Sequence, residues 1–448
     1  MKKSICIVFL IGFLGACTPT KTKDTKLPNI VLLVGDDQGY PYFGFMGASY
    51  VQTPHMDRLA KRSFVFSQGY VPENHCRPSL ATLITGQTPP VYERAVEKLI
   101  SEKGLKTDTQ QRDFRFQAMQ YFKTLPKVLE EAGYVSFQGG KWWEYHYSNG
   151  GFTHGMTRGW TPEDRKNGSK WFKQFMGGDG LALARATMEP VYSFIDAHRE
   201  QPFFIWYAPE LPHYPFDAPE RYYEPYRATD FSESAKRYYA NCTWFDQGVG
   251  ALRSYLKEKK LLDQTLFVYV NDNGWEQDPY QEFRHDSLRW HNGGDKGKLS
   301  VYDQSYRTPI LFSWENKIPS GNSEALVHSA DIPTTLLDLI GLQKPKEFEG
   351  KSLRYLWENP KAEGRSMIIG KANQMRDEAD MMGKKIEAYW IREHKWFFKW
   401  NLTHEEIALF DMENDPKNDW NVAPKYPDLV KQFQRTIDQW RKNPELVD

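Results

Sequence analysis

Asn29-Ile30-Val31-Leu32-Leu33-Val34 is a short, unbroken apolar run bounded by Pro28 and Gly35. A run without alternation must be covered on both faces, so it predicts a strand inside a parallel sheet. Tyr134 to Phe137, Phe203 to Ala208 and Leu266 to Val270 repeat the pattern. Helical stretches fall between them. Thr53-Pro54 reads as an N-cap followed by proline at the first helical position, opening a helix through Met56, Leu59 and Ala60. Pro190 to His198 and Tyr238 to Lys257 predict further helices, and Asp331 to Leu342 predicts an amphipathic one ending near Gly341. The expectation is an α/β domain over 28–344, with a large mixed, mostly parallel sheet flanked by helices.

From about residue 345 the chain is richer in charge. Lys384 to Ile391 and Lys395 to Trp400 alternate and predict an antiparallel hairpin, followed by a closing helix from Tyr426 to Trp440. A smaller C-terminal α+β subdomain with an antiparallel sheet is therefore expected over 345–448.

Each predicted strand of the first domain delivers a polar cluster at its carboxyl end. These clusters are Asp36-Asp37, Gly139-Gly140-Lys141, Glu210-Leu211-Pro212-His213 and Asp272-Asn273-Gly274. Ligands bind outside the carboxyl ends of strands in open α/β sheets, so the four clusters are expected to converge on one site. Asp36, Asp37, Asp272 and Asn273 offer hard oxygen donors, and their joint negative charge calls for a divalent cation, Ca²⁺ or Mg²⁺. No His and Cys run has zinc spacing. Near Cys76, Pro78 is placed to open a helix whose free N–H groups point toward the cysteine, an anion site.

Composition narrows the possibilities. Lys and Arg total 58 and so do Asp and Glu, so no global basic field points to nucleic acid. The 15 Trp and 25 Tyr would suit a flat polar ligand such as a sugar, and equally a large core. Met1-Lys2-Lys3 and the apolar run Ile5 to Ala16 read as an export signal too short for a permanent span. Leu14-Gly15-Ala16-Cys17 resembles a bacterial lipobox, so residues 1–17 are expected to act as a lipoprotein signal with Cys17 lipidated. Residues 18–27 then form a tether. Membrane contact would be through the lipid alone, at the bacterial envelope, facing the periplasm or on the outer-membrane surface. Of four cysteines, only Cys76 and Cys242 would remain in the folded body.

The segment Asn74-His75-Cys76-Arg77-Pro78-Ser79-Leu80-Ala81-Thr82-Leu83-Ile84-Thr85-Gly86 resembles the signature of the type I sulfatases of the alkaline phosphatase superfamily. That signature is Cys-x-Pro-Ser-Arg followed by a Leu-Thr-Gly turn. The resemblance continues through Pro28-Asn29-Ile30-Val31 with Asp36-Asp37, Thr53-Pro54 with Asp57-Arg58-Leu59-Ala60, and Gly140-Lys141-Trp142. It goes on through Pro212-His213-Tyr214-Pro215, Asp272-Asn273-Gly274, Lys298 to Pro309, Asp331-Ile332-Pro333-Thr334, and Leu409-Phe410-Asp411 with Asp415-Pro416.

The resemblance implies a sulfatase with an alkaline-phosphatase-like fold. Cys76 would be oxidised by a maturase to formylglycine, whose hydrated form attacks sulfur. Asp36, Asp37, Asp272 and Asn273, with residue 76, would ligate Ca²⁺, with Mg²⁺ the second choice. Lys141, His213 and Lys298 would grip the sulfate oxygens and stabilise or protonate the leaving alcohol. Lys298 fits the family spacing to Pro309 better than Lys296 does. The expected partner is a sulfated oligo- or polysaccharide, contacted by Arg77, Trp143, His146 and His291. Trp143, His146 and His291 lie in the segments unlike the family pattern, Trp142 to His146, Trp160 and Asp286 to His291.

Two positions depart from the family. Leu80 stands for the signature arginine, with Arg77 as a substitute guanidinium, and Trp143 stands for a histidine, with His146 or His154 as its replacement. Two other functions share these features: a phosphate diester or phosphonate ester hydrolase of the same fold, and a catalytically inactive, lipid-anchored glycan-binding protein.

Overall fold

A computed structural model describes residues 26–275, 296–359, 361–377, 380–444 and 446. Its first sheet contains β1 (Asn29–Gly35), β2 (Phe64–Tyr70), β3 (Val135–Gly140), β4 (His154–Gly155), β5 (Phe203–Ala208), β6 (Thr265–Asn271), β7 (Arg307–Ser313), β8 (Gly321–Ser323) and β9 (Val327–His328). The spatial order is β4-β3-β5-β1-β6-β7-β2-β8, with β9 also pairing with β2. From β4 to β6 every pairing is parallel, whereas β7 runs antiparallel to both β6 and β2. The sheet is mixed and mostly parallel, as expected.

The unbroken apolar character of β1 has a direct cause. Ile30, Leu32 and Val34 enter a core on one face with Phe204, Trp206, Leu83 and Ile84. Val31 and Leu33 enter a second core on the other face with Phe194, Phe245 and Leu252. Neither face of the strand meets water, so neither tolerates a polar residue. The helices Glu189–His198 and Glu233–Glu258 cover the second face, the latter longer at its N-terminus than the predicted Tyr238 to Lys257.

The second sheet is an antiparallel meander of β10 (Met367–Asp377), β11 (Asp380–Glu393), β12 (Trp396–Asn401) and β13 (Glu406–Asp411). Ile391, Phe398 and Leu409 on one face pack under the helix Pro427–Lys442 through Phe433 and Ile437. Trp390, Phe397 and Phe410 on the other face join the first domain's core, where Trp390 stacks on Tyr306 with centroids 4.3 Å apart. Two-sided burial fastens the meander to the first domain.

One local expectation is corrected. Pro78 does not open the helix; Cys76 itself is the first residue of the helix Cys76–Thr85, with extended His75 as its N-cap. Proline is tolerated within the first turn because its missing N–H has no partner there in any case.

Candidate active site

β1 and β6 are adjacent and parallel, so their carboxyl ends bring Asp36-Asp37 beside Asp272-Asn273. The Asp272 amide donates to the Gly35 carbonyl (3.0 Å), and the Asp37 amide donates to Asp272 Oδ1 (3.0 Å). Asp37 adopts φ 65°, a left-handed conformation uncommon outside glycine and the short polar residues. From β5, the Asp36 amide donates to the Leu211 carbonyl (3.0 Å), which sets His213 nearby. From β3, Gly140 takes φ 97° with its α-carbon against the Ala208 carbonyl, where a β-carbon has no room. That close approach delivers Lys141, whose amide donates to the same carbonyl (2.7 Å).

Lys141 Nζ donates to both oxygens of Asp36 (2.6 and 2.8 Å) and to Cys76 Sγ (3.3 Å). Lys298 Nζ donates to Asp37 Oδ2 (2.8 Å). His213 Nε2 lies 3.6 Å from the same oxygen, while its Nδ1 donates to the Tyr214 carbonyl. Cys76 Sγ is 3.7 Å from Asp36 Oδ1 and 3.8 Å from Asp37 Oδ1, and the side chain is only 4% exposed. Asn273 Nδ2 donates to Asp37 Oδ1 (2.5 Å).

Ligand atoms of Asp36, Asp37, Cys76 and Asp272 all lie within 4.8 Å of one another. Three buried carboxylates face two lysines, leaving an excess of negative charge. Asp272 Oδ2 and Asn273 Oδ1 are buried with no hydrogen-bond partner. Such orphaned oxygens cost free energy unless something binds them. A hard divalent cation suits this donor set.

The electrostatics follow from burial. Desolvation pushes the Asp36 and Asp272 carboxyls up, with Lys141 opposing this in both. Desolvation, reinforced by Asp272, pushes the Cys76 thiol well up, so the unmodified thiol stays protonated and is a poor nucleophile. Desolvation pulls Lys141 down, but the Asp36 carboxylate paired with it outweighs this and holds the ammonium charged. Burial and the charges of Lys141 and Lys298 keep His213 well below the usual histidine range. The cationic duties thus fall to the two lysines.

The other expected site residues are placed differently. Lys296 Nζ turns away to the Lys417 and Asn418 carbonyls (both 2.6 Å) and Asp419 Oδ1 (2.7 Å). Arg77 does not turn to the carboxylate cluster; it makes a bidentate pair with Glu144 (2.9 and 3.1 Å) and donates to the Arg115 carbonyl (2.6 Å). Leu80 is buried in the core. Trp143 is buried beside the site, its ring centre 5.4 Å from Lys141 Nζ. His146 does not replace the family histidine, because its Nδ1 is engaged with Ser148 Oγ (2.8 Å) in an exposed turn. His154 lies on edge strand β4, its ring 4.8 Å from that of His198, remote from the cluster. His291 and the segment Asp286 to His291 lie outside the described residues, as do Cys17 and the signal segment.

The sequence reading missed the residues just before Cys76. Glu73 and Asn74 are buried, Asn74 donates to the Ser300 carbonyl (3.1 Å) and the Gln374 carbonyl of β10 (2.8 Å), and Asn373 donates to Glu73 Oε1 (3.0 Å). The only signal was an uninterrupted polar run, Glu73-Asn74-His75, following the apolar Tyr70-Val71-Pro72.

The fold is that of the alkaline-phosphatase-like hydrolases. More narrowly, the chain belongs to the sulfatase family and is a sulfatase: residues 28–342 match the family model described as Sulfatase, and residues 294–443 match that of the N-sulphoglucosamine sulphohydrolase C-terminal region. Arylsulfatase A of Bos taurus is 26% identical, over 91% of this chain and 87% of that protein. The ulvan-active sulfatase of Formosa agariphila is 23% identical, over 98% of this chain and 87% of its own length. Among solved structures, one of a protein in complex with its substrate D-glucosamine-2-N,6-O-disulfate superposes with a TM-score of 0.71 at 19% identity, covering 94% of this chain and 99% of that one.

Proposed function

We propose that this chain removes sulfate from O-sulfated carbohydrate, with residue 76 as nucleophile after conversion of its thiol to formylglycine, and with Ca²⁺ held by Asp36, Asp37, Asp272, Asn273 and residue 76. The observation that carries the reading is the buried cluster of three carboxylates around Cys76, with Lys141 bridging Asp36 and Sγ. When bound, the cation supplies Lewis acidity toward an ester oxygen, and hydrated formylglycine supplies a hydroxyl nucleophile.

The chain's own residues do the rest. Lys141 and Lys298 place two buried ammonium groups where negative charge gathers on sulfate oxygens and leaving alcohol. His213 is a neutral imidazole fixed by the Tyr214 carbonyl and adds a hydrogen-bonding group on the Asp37 side. Trp143 covers Lys141 and keeps water from it. The carbohydrate part rests on the relatives that act on sulfated sugars and on the aromatic supply of the chain. We assign the protein to the bacterial envelope, tethered through Cys17, on the lipobox alone.

The test is mass spectrometry of the Cys76 peptide from protein made beside a formylglycine-generating maturase, followed by assay of sulfate release. A thiol replaced by an aldehyde, with turnover abolished by excess chelator and restored by Ca²⁺, is the expected result. An intact thiol favours the glycan-binding alternative, and faster cleavage of aryl phosphate diesters than of aryl sulfates favours the phosphorus ester hydrolase.

A further inference from the structure

Between the edge strand β4 and the helix Glu189–His198 lies a pocket of about 520 Å³ that shares no residue with the carboxylate cluster. Its floor is apolar: Phe137 of β3, Met156 just past β4 and Phe194 of the helix are buried there. Gly155 of β4 shapes one wall by having no side chain, because a β-carbon on it would come within 2.5 Å of the Tyr147 ring, which instead lies against the strand backbone. The rim is polar. His154 and Arg158 come from the β4 segment, Asp179 from the short 3-10 turn Gly178–Ala182, and His198 from the end of its helix. Each histidine is pinned through Nδ1, His154 by Thr153 Oγ1 (2.9 Å) and His198 by Gln201 Nε2 (2.8 Å), with the two rings 4.8 Å apart.

Arg158 and Asp179 are exposed, and among the described residues their side chains make no hydrogen bond or ion pair, with each other or with any other group. The arginines nearer the site are engaged, Arg77 with Glu144 and Arg165 with Asp113. A cavity of this size, with apolar and aromatic groups below and a few unpaired polar groups above, has the make-up of a small-ligand site. Its position follows from the turn that carries Asp179. Gly177 and Gly180 pack against the Gly140 carbonyl, immediately before Lys141, and Thr157 Oγ1 donates to the Gly177 carbonyl (2.7 Å). The Asp179 end of the pocket is thus one turn of chain from Lys141. We propose that the pocket is a second carbohydrate site, which seats one sugar ring of a sulfated glycan over Phe137, Met156 and Phe194 and binds its sulfate group through Arg158, with Asp179 accepting from a ring hydroxyl. The proposal rests on the carbohydrate reading above and adds to it a hold on glycans that small sulfate esters lack.

The experiment is affinity electrophoresis of the full chain with its Cys76 thiol intact, so that nothing is turned over, through gels holding ulvan, carrageenan or heparan sulfate, with neutral dextran as the control. Arg158→Ala removes the guanidinium, and Ala197→Trp fills the pocket from the exposed side of its helix. The wild type is expected to be retarded by at least one sulfated glycan and not by dextran. Arg158→Ala should weaken that Kd by about 10-fold, the worth of one charge-assisted hydrogen bond, and Ala197→Trp by at least as much. Matured protein should keep its kcat/KM on a small aryl sulfate in both variants. Equal retardation of all three proteins, no retardation of the wild type in any sulfated gel, or as much in dextran as in the sulfated gels overturns the proposal. The two failures are separable: a matured wild type that releases no sulfate from any ester sinks the sulfatase reading, whereas the gels judge the pocket on binding alone.

Discussion

Lys141 has almost no contact with water, at 1% exposure, and touches the two groups that define the site, Asp36 and Cys76. Removing one partner of a buried ion pair leaves the other charge uncompensated, which typically costs about 3–5 kcal/mol. Lys141→Ala should therefore lower the urea midpoint measurably and reduce sulfate-ester turnover by about 10²–10³-fold, the scale of losing one fixed donor at developing charge. Asp272 supports a second prediction, because its Oδ2 is an orphan in the protein alone. Millimolar Ca²⁺ should raise the wild-type Tm by mass action, and Asp272→Ala should erase that shift; an equal shift in both would place the cation elsewhere. At this scale the sequence was informative where chemistry needs specific residue types at strand ends, as with Asp36, Asp37 and Lys141. It was uninformative where a side chain chooses a distant partner. Arg77 finds its carboxylate 67 residues further on, and nothing local to Arg77 announces Glu144.

Strands buried on both faces were legible because burial dictates composition: β1, β5 and β6 have every residue buried. β2 begins with the apolar triplet Phe64-Val65-Phe66, and β7 contains an equally apolar one, Ile310-Leu311-Phe312. Their antiparallel pairing beside parallel β6 depends on contacts about 240 residues apart, which no local pattern encodes. Helix ends were less legible, since Cys76 opens its helix two residues ahead of the proline that would conventionally mark it. The junction of β3 with the site supports a sharp prediction. Gly140→Ala puts a methyl group on the Ala208 carbonyl and strains a left-handed backbone. A loss of about 2 kcal/mol or more in denaturant unfolding is expected, with turnover falling alongside because Lys141 is displaced. Wild-type stability and activity in this variant would show that the loop tolerates a shift.

Across the whole molecule, the link between the two sheets includes one fully buried ion pair. Asp331 accepts from Arg365 through both oxygens, and also from the amides of His328 and Lys351 (both 2.9 Å). Burial alone would raise the Asp331 carboxyl, but the guanidinium overrides it and holds it below the usual carboxylate range. A carboxylate depressed in the folded state contributes stability that is fully present above its unfolded value, near 3.9. That contribution is lost as pH falls from there through the folded value. Asp331→Asn should lower stability by about 3–5 kcal/mol at pH 7 and flatten the acid limb of the stability curve below pH 4, as read by unfolding midpoints. Lys296 makes the second tie, fastening the segment that carries Lys298 to the carbonyls of Lys417 and Asn418. That tie also sets an order in time. Residue 76 leaves the ribosome roughly 340 residues before Lys417 and Asn418, whose carbonyls hold that tie. At about 5–20 residues per second, the interval is on the order of 20–70 s. An enzyme that alters the Cys76 thiol has at least that interval before the fold that leaves Cys76 only 4% exposed is complete.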